Sequence, residues 1–391
     1  MATSTIDSII RTAHEYGFLR IVPAINIDSL IASSILSKVL YDHGVNAPIN
    51  TYPGIIYEDY DTPILLIDLP KPADRKNLFE IKFTGDTSIT ARLVSYLDKI
   101  YGLTWYDKLL AVISGIYRRL DVGKEGFKGL EQELVKELAK TNHLSSELGF
   151  KLWGWKQYSI LKTIYRTLIP YIPGYTGDPN YTNNMLKKLL NIENPDKIKW
   201  ETLFTEQNIE KLGEFLEEFS ETIKIDNELK KKILYNMLGY TYSVNILGYS
   251  LDLHEIYGAL LSYTSIGKQN PYTISLTSFD QSVLIQVIGV YRKIADELAL
   301  EVSTVINEYM SKRNPIISDL SLIKRPELLI EVLSFLNTLP NDSPIVIRSN
   351  GELLTSLLEY IRVRKELENA YINCSEEQLC ILGEDLVLRR A

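Results

Sequence analysis

Apolar residues at Ile6, Ile9, Ile10 and Ala13 recur at the interval of one helix face, which predicts a helix over Thr5–Tyr16. The short apolar run Leu19–Ile25 reads as a buried strand. It ends in Asn26-Ile27-Asp28-Ser29, polar side chains able to cap a following helix, Leu30–His43, which stops at Gly44. Val45–Tyr52 and Thr62–Leu69 read as further strands. The second, PILLIDL, is apolar enough to be covered on both faces, as parallel sheets are. The opening is therefore βαβ in character.

Helical spacing dominates afterwards, over Asp86–Tyr101, Trp105–Arg119, Gly129–Lys140 and Ser159–Leu168. Proline and glycine then break the pattern at PYIPGYTGDPN, the best boundary signal in the chain. A basic helix, Asn183–Leu190, leads to an acidic one around Asn208–Ile223. There Ile209, Leu212, Phe215, Leu216, Phe219 and Ile223 form a stripe that needs a partner surface, with core packing the commoner use. In the last third, Leu251–Thr264 and Phe279–Lys312 read as helices. Tyr272–Leu276, Ile345–Arg348 and Leu379–Leu388 read as strands. These shifts divide the chain into units at 1–178, 179–245 and 246–391.

The chain has 391 residues, 45% of them hydrophobic and 24% charged, enough for two or three domains with ordinary cores. A net charge of −8 argues against a broad electrostatic grip on duplex DNA, so any nucleic-acid contact must be local. No apolar run is long enough to span a membrane and the first residues lack a signal-peptide pattern, so a cytoplasmic protein is expected. Cys374 and Cys380 lack zinc-site spacing and read as reduced, structural thiols.

Candidate chemistry sits at strand ends. Asn26 and Asp28 follow the first strand and Asp68 ends the third, so a parallel sheet brings them together. Two aspartates and a neutral amide are too few to clamp a pair of divalent ions for phosphodiester hydrolysis. Taken alone, Asp28 reads as a helix cap. His14, His43, His143 and His254 are scattered, and there is no Walker loop, dinucleotide fingerprint or nucleophile elbow. Trp153 and Trp155 with Tyr158 offer stacking platforms for bases, although core packing is the commoner use of such residues.

The motif positions resemble the Asp-His-His (DHH) phosphoesterase superfamily, in particular its RecJ-like branch. Where that family carries a His-x-Asp-x-Asp-Gly run, this chain reads Ala24, Asn26, Asp28 and Ser29. Asp68 matches the second motif, but Leu69–Thr84 lacks the eponymous triplet, and Tyr117 and Arg118 stand where a further aspartate is expected. Lys151–Asp178 and Asp252–Tyr272 are similar to segments of archaeal RecJ-like proteins. The C-terminal glycine-rich run of the family is replaced by LENAYINCSEEQLC.

The resemblance implies an α/β fold: a DHH-like parallel sheet flanked by helices, a helical connector, and a smaller DHHA1-like mixed α/β domain. It also implies a chemically silent relative of the cell-division-cycle forty-five type, with Asn26, Asp28 and Asp68 as vestiges and no cofactor. The partners it implies are the GINS complex and the MCM helicase, at replication forks on the nucleoid. A different reading is a degenerate single-strand exonuclease using Asp28, Asp68 and Asp74 with Mn2+ or Mg2+. A third has Arg118, Arg119, Lys268 and Arg348 lining a path for single-stranded DNA.

Overall fold

The first sheet is parallel in the order β1 (Arg20–Pro23), β2 (Ile64–Ile67), β3 (Leu78–Ile81). All four β2 residues are buried, and alternate side chains serve two different cores. Leu65 and Ile67 face the core shared with the helices Ala2–Tyr16, Ile27–Asp42, Ile89–Tyr101 and Trp105–Tyr117. Ile64 and Leu66 face a second core, completed by Val346, Leu353, Tyr360, Tyr371 and Leu382 from the C-terminal region. Apolar coverage on both faces is what the PILLIDL run predicted. A computed structural model of the chain describes residues 2–59, 61–72, 75–203, 209–312, 316–317 and 319–389.

The segment Val45–Tyr52 lies beside β1 without forming a regular strand. Isolated parallel bridges link Phe18 with Asn46 and Ile21 with Ile49. Pro48 has no amide hydrogen and contributes only its carbonyl, to Ile21 at 3.0 Å, so a continuous ladder is not available there. The strand that pairs with β2 on its other side is instead β3, which the periodicity did not single out.

A second, antiparallel sheet runs β4 (Leu144–Phe150), β5 (Leu238–Ile246), β6 (Tyr249–Asp252). It crosses the division drawn at residue 178, because Leu144 pairs with Val244 and Phe150 with Leu238, and the one at 245, because Val244 pairs with Leu251. Between these strands the connector helices fold back. Phe215, Phe219 and Ile223 are buried, with Phe219 4.7 Å from the Tyr175 ring and Phe215 5.9 Å from Trp200, so this part of the apolar stripe faces inward.

The C-terminal sheet is mixed, in the order β10 (Leu379–Leu382), β9 (Glu352–Ser356), β8 (Val346–Ser349), β7 (Ile316–Ile317), with only the β7–β8 pair parallel. The strand expected over Leu379–Leu388 stops at Leu382 and returns as a single bridge at Leu388. Tyr272–Leu276 is helical, within Asn270–Leu276, where Pro271 fits the first turn. Cys374 and Cys380 are joined as a disulfide, which corrects the expectation of reduced thiols. Six residues of separation suffice because a tight turn at Ser375–Gln378 brings the two Cα atoms within 4.4 Å. No described helix is long and apolar enough to cross a membrane.

Candidate functional site

Asn26 is the residue that caps the Ile27–Asp42 helix, its side chain accepting from Ser29 N at 2.9 Å. That frees Asp28, in the first turn, to point across to a neighbouring helix start. Its carboxylate accepts from the amides of Ile89 at 3.0 Å and Thr90 at 2.9 Å, and from the Thr90 hydroxyl at 2.7 Å. These are the leading N–H groups of the Ile89–Tyr101 helix, otherwise without intrahelical partners. Asp28 is thus a cap, as its residue type suggests, but for a helix 61 residues further on.

Asp68 follows β2 in a left-handed conformation, φ 60°, uncommon for a residue with a side chain. The turn sets its Oδ1 3.3 Å from the Phe83 amide and its Oδ2 3.2 Å from Asn26 Nδ2.

Arg118 joins the two carboxylates. It closes the Trp105–Tyr117 helix, and its guanidinium donates through Nε to Asp28 Oδ2 at 2.7 Å and through Nη2 to Asp68 Oδ2 at 2.6 Å. One face of the guanidinium lies 4.4 Å from the Phe83 ring centroid, and the Tyr117 ring is 5.3 Å away. Burial alone lowers the pKa of Arg118, but Asp28, Tyr117 and Asp68 outweigh it and hold the group charged above its ordinary value. One cation therefore serves two acids in a partly desolvated setting, where charge-assisted hydrogen bonds are strong.

Arg119 turns the other way, with φ 58°, and donates to Glu331 Oε2 at 2.9 Å. The Tyr117 hydroxyl donates to the other oxygen of Glu331 at 3.1 Å. Both residues thus tie the end of the Trp105–Tyr117 helix to the C-terminal helix Glu327–Phe335. Between these elements lies a cavity of about 260 Å³ whose walls include Asn26, Asp68, Arg118, Glu327, Glu331 and Gln378. Glu327 is partly buried, its side chain 11% exposed, and its carboxyl is pushed up from the ordinary range by desolvation, against the pull of Arg325.

The fold gathers Asn26, Asp28, Asp68 and Arg118 into one cluster. Lys268 is exposed on a turn, and Arg348 lies on β8, 3.7 Å from Glu384, so neither adjoins that cluster. Asp74 lies outside the described residues. Among the described residues no group of three or more His, Cys, Asp or Glu side chains is placed to hold a metal ion. Trp153 and Trp155 are both buried. Sequence reasoning missed the bridging role of Arg118, though its position in place of an expected acid was the available signal. It also missed Gln378, for which no motif offered one.

No family model and no curated protein matches the sequence. Solved structures do. CDC45 from Entamoeba histolytica is similar at 10% identity, with a TM-score of 0.60, over 90% of this chain and 86% of that one. An exonuclease RecJ bound to manganese aligns at 10% identity over 92% of this chain and 84% of that chain, with a TM-score of 0.40. RecJ of Thermus thermophilus in complex with Mn2+ aligns at 14% identity over 90% of this chain and 47% of that one, with a TM-score of 0.33. The chain therefore carries a CDC45-like fold across most of its length.

Proposed function

We propose that this chain is a non-catalytic RecJ-like subunit acting in DNA replication, one that binds GINS and supports the MCM helicase through its surfaces. The observation that carries the reading is Arg118 between Asp28 and Asp68. A site for paired Mn2+ or Mg2+ ions needs several anionic ligands with free lone pairs and open positions for water. Here Asp28 already accepts four hydrogen bonds and is shut off from solvent, and the guanidinium supplies the positive charge. The residues present do not fit a metal pair. The likeness in fold to CDC45 supports the same reading without specifying partners.

The test is co-purification of the chain with GINS at moderate salt, together with the thermal melting of each protein alone and mixed. The expected result is co-elution and a mutual upward shift in melting. Separate elution with unchanged melting overturns the proposal.

A further inference from the structure

We propose that the Cys374–Cys380 disulfide and Gln378 form a latch that holds the C-terminal unit shut over the end of the first sheet, and that opening the disulfide releases it. This does not depend on the partners proposed above. Gln378 is buried, yet its side chain belongs to one unit and all its side-chain partners to the other. Its Nε2 donates to the carbonyls of Pro23 at 2.6 Å and Thr51 at 2.8 Å, and its Oε1 accepts from the Ile25 amide at 3.1 Å. The amide group thus completes the backbone hydrogen bonding where β1 ends and Val45–Tyr52 passes beside it.

The turn that aims Gln378 is held from several sides. Gln378 is left-handed, φ 54°, its own N–H donates to Ser375 O at 2.8 Å, and its carbonyl accepts from Leu357 N at 2.9 Å. The Tyr272 hydroxyl fixes the carbonyl of Glu376 at 3.0 Å and Arg325 Nη1 fixes that of Glu377 at 2.6 Å. The disulfide closes this loop at its base. A left-handed conformation costs a residue with a side chain free energy, so a covalent closure that denies the loop other conformations favours it. Tyr371 adds a second tie one turn away, donating to Pro70 O at 2.7 Å.

A dithiol reductant transfers two electrons and two protons to the sulfur–sulfur bond, leaving two cysteine thiols and the cyclic disulfide of the reagent. Both cysteines are buried, so serine variants give the cleaner comparison. Amide hydrogen exchange by mass spectrometry is measured for the parent, the Cys374→Ser/Cys380→Ser variant and Gln378→Ala. The expected result is exchange at least tenfold faster in peptides covering Ile25 and Leu357 in both variants, with the β4–β5 peptides unchanged. Unchanged exchange at Ile25 in either variant overturns the latch. Uniform acceleration across β4–β5 as well overturns it too, because that is loss of global stability.

Discussion

Arg118 Nε lies 2.7 Å from the Oδ2 of Asp28, a carboxylate with no exposure to solvent. Removing the cation strands two acids in a low-dielectric setting, so Arg118→Met is expected to cost about 3–5 kcal/mol in urea denaturation. Adding Asp28→Asn to that variant is expected to recover part of the loss, since the amide still accepts from the Thr90 backbone and carries no charge. A double variant no better than the single one contradicts the charge argument.

Metal titration gives the complementary expectation. The parent binds no Mn2+ at micromolar concentration in calorimetry, and Arg118→Ala gains no Mn2+-dependent cleavage of labelled single strands. Removing the arginine does not supply the missing acids, because Asn26 remains neutral.

Gly258 tests how closely the segment Lys151–Trp155 packs. A Cβ there would sit 2.4 Å from a ring carbon of Trp153, which is buried. Gly258→Ala is expected to destabilise the protein by about 1–3 kcal/mol through overpacking. Gly213, in the exposed part of the Ile209–Thr222 helix, has nothing within 4 Å of the same position. Gly213→Ala is expected to stabilise by about 0.5–1 kcal/mol through helix propensity. Thermal denaturation of both variants reads the opposite signs.

Asp252 gives a pH dependence. It caps the Leu253–Ser265 helix through the Glu255 amide at 2.9 Å, and burial pushes its carboxyl up to about 6 from 3.8, against the pull of His254. An acid with a raised native pKa holds its proton more tightly in the folded state. Its contribution is full below the unfolded value near 3.8 and is lost as pH rises through about 6. Asp252→Asn keeps the cap and removes this loss. The variant is expected to gain on the order of 2–3 kcal/mol relative to the parent between pH 4 and pH 7, measured by denaturation at each pH.

Local patterns made much of this architecture legible. The Ile6-Ile9-Ile10-Ala13 spacing and the PILLIDL run each report a single element, and each appears near its expected place. Asn26, Asp28 and Asp68 were brought together by the logic of parallel strand ends. What sequence could not supply were partners distant along the chain. Thr90 and Arg118 reach Asp28 from 62 and 90 residues away, and Gln378 reaches Pro23 from 355. Pro48 shows the opposite failure, where an apolar run met a missing amide hydrogen. Cys374 and Cys380 were misread because spacing rules describe metal sites better than a turn folded back on itself.

The pairing of Leu144 with Val244 sets an order of events during synthesis. When β4 leaves the ribosome its partner has not been made, and about a hundred residues must follow before the seven-residue edge can be covered. A chain halted at residue 178 would expose that bare edge, a ready template for association with its own copies. Assembly of the first half thus waits on the second, which makes the molecule a poor candidate for dissection into separately expressed pieces.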